Sequence, residues 1–264
     1  MPARAPALLA LSALFAVASL ARGQPAELAA GRKIYEANCA ICHGERGDGK
    51  GEAAHHFASP PRDLTAGRYK FRSTASGQLP TDADLRRSIV MGIPGTGMVP
   101  QAHLSEADVL ALIEFAKSLS PRFAAAAPPK PLPIPPAPPR TPEAIARGRK
   151  AYEKGECQEC HGPGGRGDGP SAKDLKIKPT DLTRRPLKSG PTPDDIARTL
   201  FTGLDGTPMP SYHLILDDEE LWDLAYYVDS LGTPPVVTED ERAGWHVVQM
   251  HQSRGSTPLR SMPR

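Results

Sequence analysis

Cys39-Ala40-Ile41-Cys42-His43 and Cys157-Gln158-Glu159-Cys160-His161 are two copies of one pattern, C-x-x-C-H, and together they use all 4 cysteines of the 264-residue chain. In this pentapeptide two thiols can add as thioethers to the vinyl groups of a haem, and the imidazole next in sequence reaches the iron from one side. A lone C-x-x-C also suits half a zinc site or a redox dithiol. Zinc needs four ligands at close spacing, and each pair here is followed by His-Gly and a polar glycine loop, not by another pair. A redox dithiol belongs in a βαβ pattern, and none is legible around either copy. Two haem attachment sites are the expectation.

Working outward, the residues before each copy follow helical spacing. Leu28, Gly31, Ile34, Tyr35 and Asn38 recur on one face of a segment over 26–38. Gly31 and Tyr35 have counterparts in Gly148 and Tyr152, with one extra residue before Cys157. A glycine on such a helix lets a second helix cross closely, and the partner in each unit is its last helix. Ser105-Glu106-Ala107-Asp108 offers a cap before the stripe Val109, Leu112, Ile113, Ala116, Leu119. Asp217 or Asp218 begins the equivalent helix, with Leu221, Leu224, Ala225, Val228 and Leu231, and Tyr227 matches Phe115.

After each motif comes a glycine loop, 44–49 and 162–169, without the Lys-Ser/Thr of a phosphate loop. It suits backbone that turns tightly or passes close to a flat ligand. Pro61 and Pro179 each lie 18 residues beyond the ligand His. A carbonyl from this loop is placed to accept the other ring N–H of the His, fixing its tautomer and raising its basicity. The copies then diverge: the first has seven extra residues within 66–79, including Arg68-Tyr69-Lys70-Phe71-Arg72. That alternation of basic and aromatic residues suits haem propionates or a docking partner, and otherwise a solvated loop, which is the reading adopted.

Short helices carrying Leu85 and Ile89, and Ile196 and Leu200, stop at Gly92 and Gly203. Each is followed by a second chemical signal, Gly95-Thr96-Gly97-Met98 and Gly206-Thr207-Pro208-Met209. A thioether stabilises Fe(II), so a His/Met pair raises the reduction potential. Met209 has no rival in its unit; Met98 has one in Met91. His103 and His213, close after the methionines, are alternative ligands but read as surface or loop-bonding histidines; His55 and His56 have no counterpart in the second copy and no strong claim as ligands.

The remainder organises the chain. Residues 1–23 resemble a secretory signal, with Arg4, an apolar run from Ala7 to Leu20 and Ala21-Arg22-Gly23 at the cleavage point. The two units occupy 24–123 and 142–233. Between them, 124–141 is Ala- then Pro-rich, with eight Pro from Pro128 to Pro139, a spacer that at ~3.1 Å per residue could hold the units roughly 37 Å apart. Residues 234–264 show no clear apolar period and read as a docking or disordered tail. Residues 1–23 hold two of the 32 basic side chains and none of the 30 acidic ones, so the rest is charge-balanced and unsuited to nucleic acid. The second unit is the more acidic and would favour a basic partner.

Each unit resembles a class I c-type cytochrome domain, and the pair resembles the dihaem cytochromes c of bacterial respiratory chains. The resemblance covers about 26–121 and 142–232. It implies an all-α fold of two tandem domains with two covalently bound haem c groups, held by Cys39 and Cys42 and by Cys157 and Cys160. It also implies iron ligation by His43 and Met98, and by His161 and Met209. The function implied is single-electron transfer between a dehydrogenase or quinol-oxidising complex and an acceptor such as an oxidase or another cytochrome. No catalytic residue is implied, and export fits, because haem is attached outside the cytoplasm. The location would be periplasmic, with membrane association only through a complex or an uncleaved N-terminus. A dihaem peroxidase, a thiosulfate-oxidising enzyme or a haem sensor would instead need one open iron.

Overall fold

The computed structural model describes residues 25–253; residues 1–24, with the expected signal at 1–23, and the end of the tail, 254–264, lie outside them. Among the described residues the fold is all-α, with no strand and one isolated bridge between Leu187 and Gly190. The first unit consists of α1 (Pro25–Asn38), α2 (Ala40–His43), α3 (Asp82–Met91), α4 (Glu106–Ser118) and the short α5 (Pro121–Ala125). The second repeats this order with α6 (Pro142–Lys154), α7 (Gln158–His161), α8 (Pro193–Thr202) and α9 (Asp218–Ser230), and α10 (Glu239–Ser253) follows.

Local chemistry sets the helix ends. Thr81 and Asp84 form a capping box on α3, Thr192 and Asp195 form one on α8, and Asp217 and Glu220 form one on α9. Ser105 caps α4, and Gly92 and Gly203 end α3 and α8 with φ of 66° and 68°, where a side chain would be strained. In both units the first long helix crosses the last, α1 on α4 and α6 on α9. At each crossing a Cβ on the glycine would run into a facing carbonyl, that of Ala111 for Gly31 and that of Asp223 for Gly148. One turn on, Tyr35 packs against Phe115 with ring centroids 5.1 Å apart, and Tyr152 against Tyr227 at 5.5 Å.

Three segments depart from the sequence reading. The proline-rich spacer lies on the second unit: Trp222 Nε1 donates to the Pro135 carbonyl at 3.0 Å and the Tyr226 hydroxyl to that of Pro138. Prolines have no N–H, so their carbonyls are free to accept. The Leu132 amide donates to the Ser73 carbonyl of the first unit at 2.8 Å, so the spacer touches both units and its full reach is not used. In the stretch around Arg72, read as solvated loop, Arg72 and Thr74 are buried instead. The Arg72 guanidinium donates to the carbonyls of Thr202 and Gly203 and to the Asp205 carboxylate, all in the second unit, while Ser73 is tied to the buried Asp84. The tail, finally, forms α10, which packs against α1 and buries Gly244 and Val248.

Candidate functional site

Both C-x-x-C-H motifs form a single helical turn. The His43 and His161 amides each donate to the carbonyl of the first motif cysteine at 2.8 Å, closing the turn that carries both thiols and the imidazole. The glycine loop folds back over it: Gly49 and Gly167 donate to the carbonyls of His43 and His161, also at 2.8 Å. Gly44, Gly47 and Gly49, like Gly162, Gly165 and Gly167, have φ between 72° and 80°, so this return path needs glycine. Tyr35 and Tyr152 hold it by donating to the carbonyls of Gly44 and Gly162 at 2.7 Å.

The ring Nδ1–H of His43 donates to the Arg62 carbonyl and that of His161 to the Thr180 carbonyl, both at 2.9 Å. The acceptor thus comes from the expected loop, one residue beyond each proline. A carbonyl only accepts, so Nδ1 carries the proton and Nε2 keeps its lone pair for a metal. Burial pushes both imidazole pKa values below the ordinary value, which keeps them neutral and ligand-competent.

The methionine loops are also built alike. Thr96 Oγ1 donates to the Ile93 carbonyl at 2.7 Å and accepts from the Met98 amide at 3.2 Å; Thr207 repeats this with Leu204 and Met209 at the same distances. The loops close through Ile93 N–H to Met98 O and Leu204 N–H to Met209 O. Gly95 and Gly206, at φ 71° and 77°, make the turn possible. This explains the Gly-Thr-x-Met pattern: the hydroxyl is the latch that presents the sulfur.

Each unit encloses an apolar cavity. The first is lined by Cys39, Cys42, His43 and Met98, the second by Cys157, Cys160, His161 and Met209. Met91 is half exposed and lies outside the first lining. His103 and His213 line neither cavity; His213 sits beside Phe201 and Asp218. His55 and His56 stack on one another, also outside the first cavity.

The residues fit a haem better than zinc or a redox pair. Burial pushes the Cys39 thiol up to about 12 and those of Cys42 and Cys157 up to about 11, the reverse of a reactive dithiol. Among the described residues no three His, Cys, Asp or Glu side chains converge as a metal-holding group. The polar ends of a propionate-bearing macrocycle also have a taker. The Tyr69 hydroxyl is buried without a hydrogen-bond partner in the lining of the first cavity and can donate to a propionate.

Lys70, Phe71 and Lys188 line both cavities, so the two sites share a wall. Arg62, beside them in the first cavity, lies close enough to Lys70 to depress its pKa, as does Lys188. Among the described residues none of these three cations has a carboxylate within ion-pair distance, although Asp240 acts on Lys188 from further away. The sequence reading had singled out Lys70 and Phe71 but not Lys188. Nothing near Lys188 in the chain marks it, because its role depends on a fold that brings it beside residue 70.

Two family models match the chain: "Cytochrome c" over residues 28–120 and "Cytochrome C oxidase, cbb3-type, subunit III" over 143–228. The chain is 26% identical over 211 residues to the Cbb3-type cytochrome c oxidase subunit CcoP of Azospirillum brasilense, and 27% identical over 220 residues to that of Azospirillum sp. (strain B510). Each alignment covers 78% of this chain and 62% of the relative, so the chain spans about three fifths of the length of these curated relatives. A chain in the reducing HAO-like protein complex of Kuenenia stuttgartiensis is 41% identical with a TM-score of 0.75, covering 77% of this chain and 96% of that one. With the duplicated motif, the paired cavities and these matches in agreement, the chain belongs to the c-type cytochromes, as two tandem cytochrome c domains with two covalently attached haem c groups.

Proposed function

We propose that the chain carries single electrons within a multi-protein redox system and turns over no substrate of its own. Cys39 and Cys42 tether the first haem, and His43 and Met98 are its axial ligands; Cys157 and Cys160 tether the second, with His161 and Met209. The observation that carries this is the lining of the cavities, which holds one histidine and one methionine in each. Two occupied axial positions leave no room for a substrate at the iron. The protein's part is to exclude water and to set the potential through ligand type and burial.

The shared wall supports electron passage between the two haems, with Lys70, Phe71 and Lys188 between them. The named relatives, a Cbb3-type oxidase subunit and a chain of an HAO-like complex, support a redox protein as partner. Among the described residues no helix is long and apolar enough to cross a membrane. The export signal read in 1–23 and the chemistry of haem attachment support a periplasmic site of action, with any membrane contact made through a complex.

The test is the absorption spectrum of the oxidised protein in the far red, where sulfur-to-iron charge transfer gives a weak band. Met98→Ala and Met209→Ala are each expected to remove half of it, and Met91→Ala to leave it intact. A band undiminished in Met98→Ala but halved in Met91→Ala would overturn the first assignment.

A further inference from the structure

Among the described residues, helix α10 is the one long element without a counterpart in the repeat, and it lies on the methionine loop of the first unit. Glu241 accepts from the Gly95 amide at 2.7 Å, and Asp240 accepts from the amides of Ala58 and Ser59 at 3.1 and 3.0 Å. Gly244 meets the same loop backbone to backbone: a Cβ there would fall 2.5 Å from the Gly97 carbonyl oxygen and 2.8 Å from its Cα. Val248, 7% exposed, completes the wall of the first cavity. Gly97 also lies against the Phe57 ring: a Cβ there would run into Phe57 Cε1. The segment Gly95-Thr96-Gly97-Met98 thus packs against both Phe57 and a helix that begins 141 residues later.

The second loop has no such helix. Its Gly206 faces the Arg62 guanidinium, and its Asp205 is held by Arg72, both from the first unit. A glycine inside a helix costs stability relative to alanine. At 244 the cost has a return, because no other residue permits this approach to Gly97.

We propose that α10 is a clamp that positions Met98 at the first iron, and that its docking is what denies that iron to small external ligands. The inference rests on the ligand assignment made above. A thioether is a weak donor, so its hold on the iron depends on how firmly the loop presents it. Glu241, Gly244 and Val248 are positioning residues: none is placed to touch the iron, and each acts through the loop or the cavity wall. With the helix docked, the first haem exchanges electrons only. With it lifted, Met98 would compete poorly for the iron and a diatomic ligand would displace it.

Gly244→Leu is the selective variant, since it raises helix propensity while its side chain cannot fit over Gly97. The full-length, haem-loaded protein would be compared with this variant and with Glu241→Gln. Three quantities would be read: hydrogen exchange in 239–253, the far-red sulfur–iron band, and carbon monoxide binding to the reduced protein. The expected result is faster exchange in α10, loss of up to half of the band, and carbon monoxide affinity at one haem per chain raised about tenfold or more, with the second haem unchanged. Faster exchange with no change in band or affinity would overturn the clamp. So would unchanged exchange in both variants, since the contacts described would then not hold the helix. A wild-type band with only one sulfur–iron contribution would instead remove the Met98 assignment itself.

Discussion

Arg72 of the first unit, its side chain fully buried, is paired with Asp205 of the second at 2.8 Å. The same guanidinium donates to the carbonyls of Thr202 and Gly203, at the end of α8 and the start of the second methionine loop. A planar donor fork meeting one carboxylate and two carbonyls is a task for arginine, not lysine. Removing it leaves the Asp205 carboxylate, among the described residues, with only the Gly77 amide and the Ser76 hydroxyl as donors, a loss of at most about 3–5 kcal/mol for a buried pair. Arg72→Ala is therefore expected to lower the unfolding midpoint by that order and to slow electron exchange between the haems. Asp205→Asn, which keeps an acceptor, is expected to cost less. Denaturant unfolding followed in the Soret band, with flash-reduction kinetics, would measure both; equal midpoints for Arg72→Ala and wild type would refute the pinning.

Lys70 and Lys188 border both cavities, so a change at either should be felt by both haems. The oxidised haem carries one more positive charge than the reduced, so a nearby ammonium favours reduction. At about 10 Å and an effective dielectric near 20 the effect is roughly 1–2 kcal/mol, or tens of millivolts for one electron. Lys70→Gln and Lys188→Gln should each lower both midpoint potentials in a spectroscopic redox titration, less so at high salt. A shift confined to one haem would show that the lysine belongs to one site only.

The same lysine gives a pH dependence. Burial, then Arg62 and Lys188, pushes the Lys70 ammonium down to about 8. As the pH rises through that region the ammonium loses its proton and its support of the reduced haem. Both potentials should then fall with pH above about 8, and the slope should weaken in Lys70→Gln. Identical pH profiles for the variant and wild type would sink this reading.

Legibility in the sequence followed the range of the interactions. The C-x-x-C-H turn, the glycine loop and the Thr latch in front of Met98 and Met209 are closed by partners close in sequence, and their patterns were readable. The Gly31 and Gly148 crossings were readable because the unit occurs twice and each copy checks the other. Arg72 was misread because its partners lie about 130 residues away and an isolated basic residue looks solvated. Helix α10 was missed because its buried positions, 244 and 248, are a glycine and a valine, and an apolar period cannot be seen when backbone contact replaces side chains.

The spacer should be a fixed element rather than a tether. Tyr226→Phe removes only the hydroxyl that reaches the Pro138 carbonyl, and the expected cost is about 1 kcal/mol. Around Pro138 local release should exceed that global cost, because the prolines there have no N–H of their own, while Leu132 still holds the first half of the spacer through the Ser73 carbonyl. Trypsin cleavage after Arg140 is expected to quicken in the variant. Cleavage at the wild-type rate would mean that the spacer is held by other contacts.

The two helix crossings test how far the units are equivalent. At Gly31 and Gly148 alanine would gain about 1 kcal/mol in helix propensity, so a tolerant interface would be stabilised. Instead each new methyl meets a backbone carbonyl, and overpacking of this kind costs roughly 1–3 kcal/mol or more. The facing residues differ in their freedom to yield. Ala111 has no side-chain anchor, whereas Asp223 is buried and held by Arg147 through Nε at 2.6 Å and Nη2 at 3.1 Å. The carbonyl facing Gly148 is therefore the less able to step aside. Gly148→Ala is expected to destabilise more than Gly31→Ala, and the gap should close when Gly148→Ala is combined with Arg147→Met, which frees Asp223. Denaturant midpoints of the haem-loaded variants decide the matter: a net gain in stability for Gly148→Ala would mean that the helices are further apart than the contact between Gly148 and Asp223 requires.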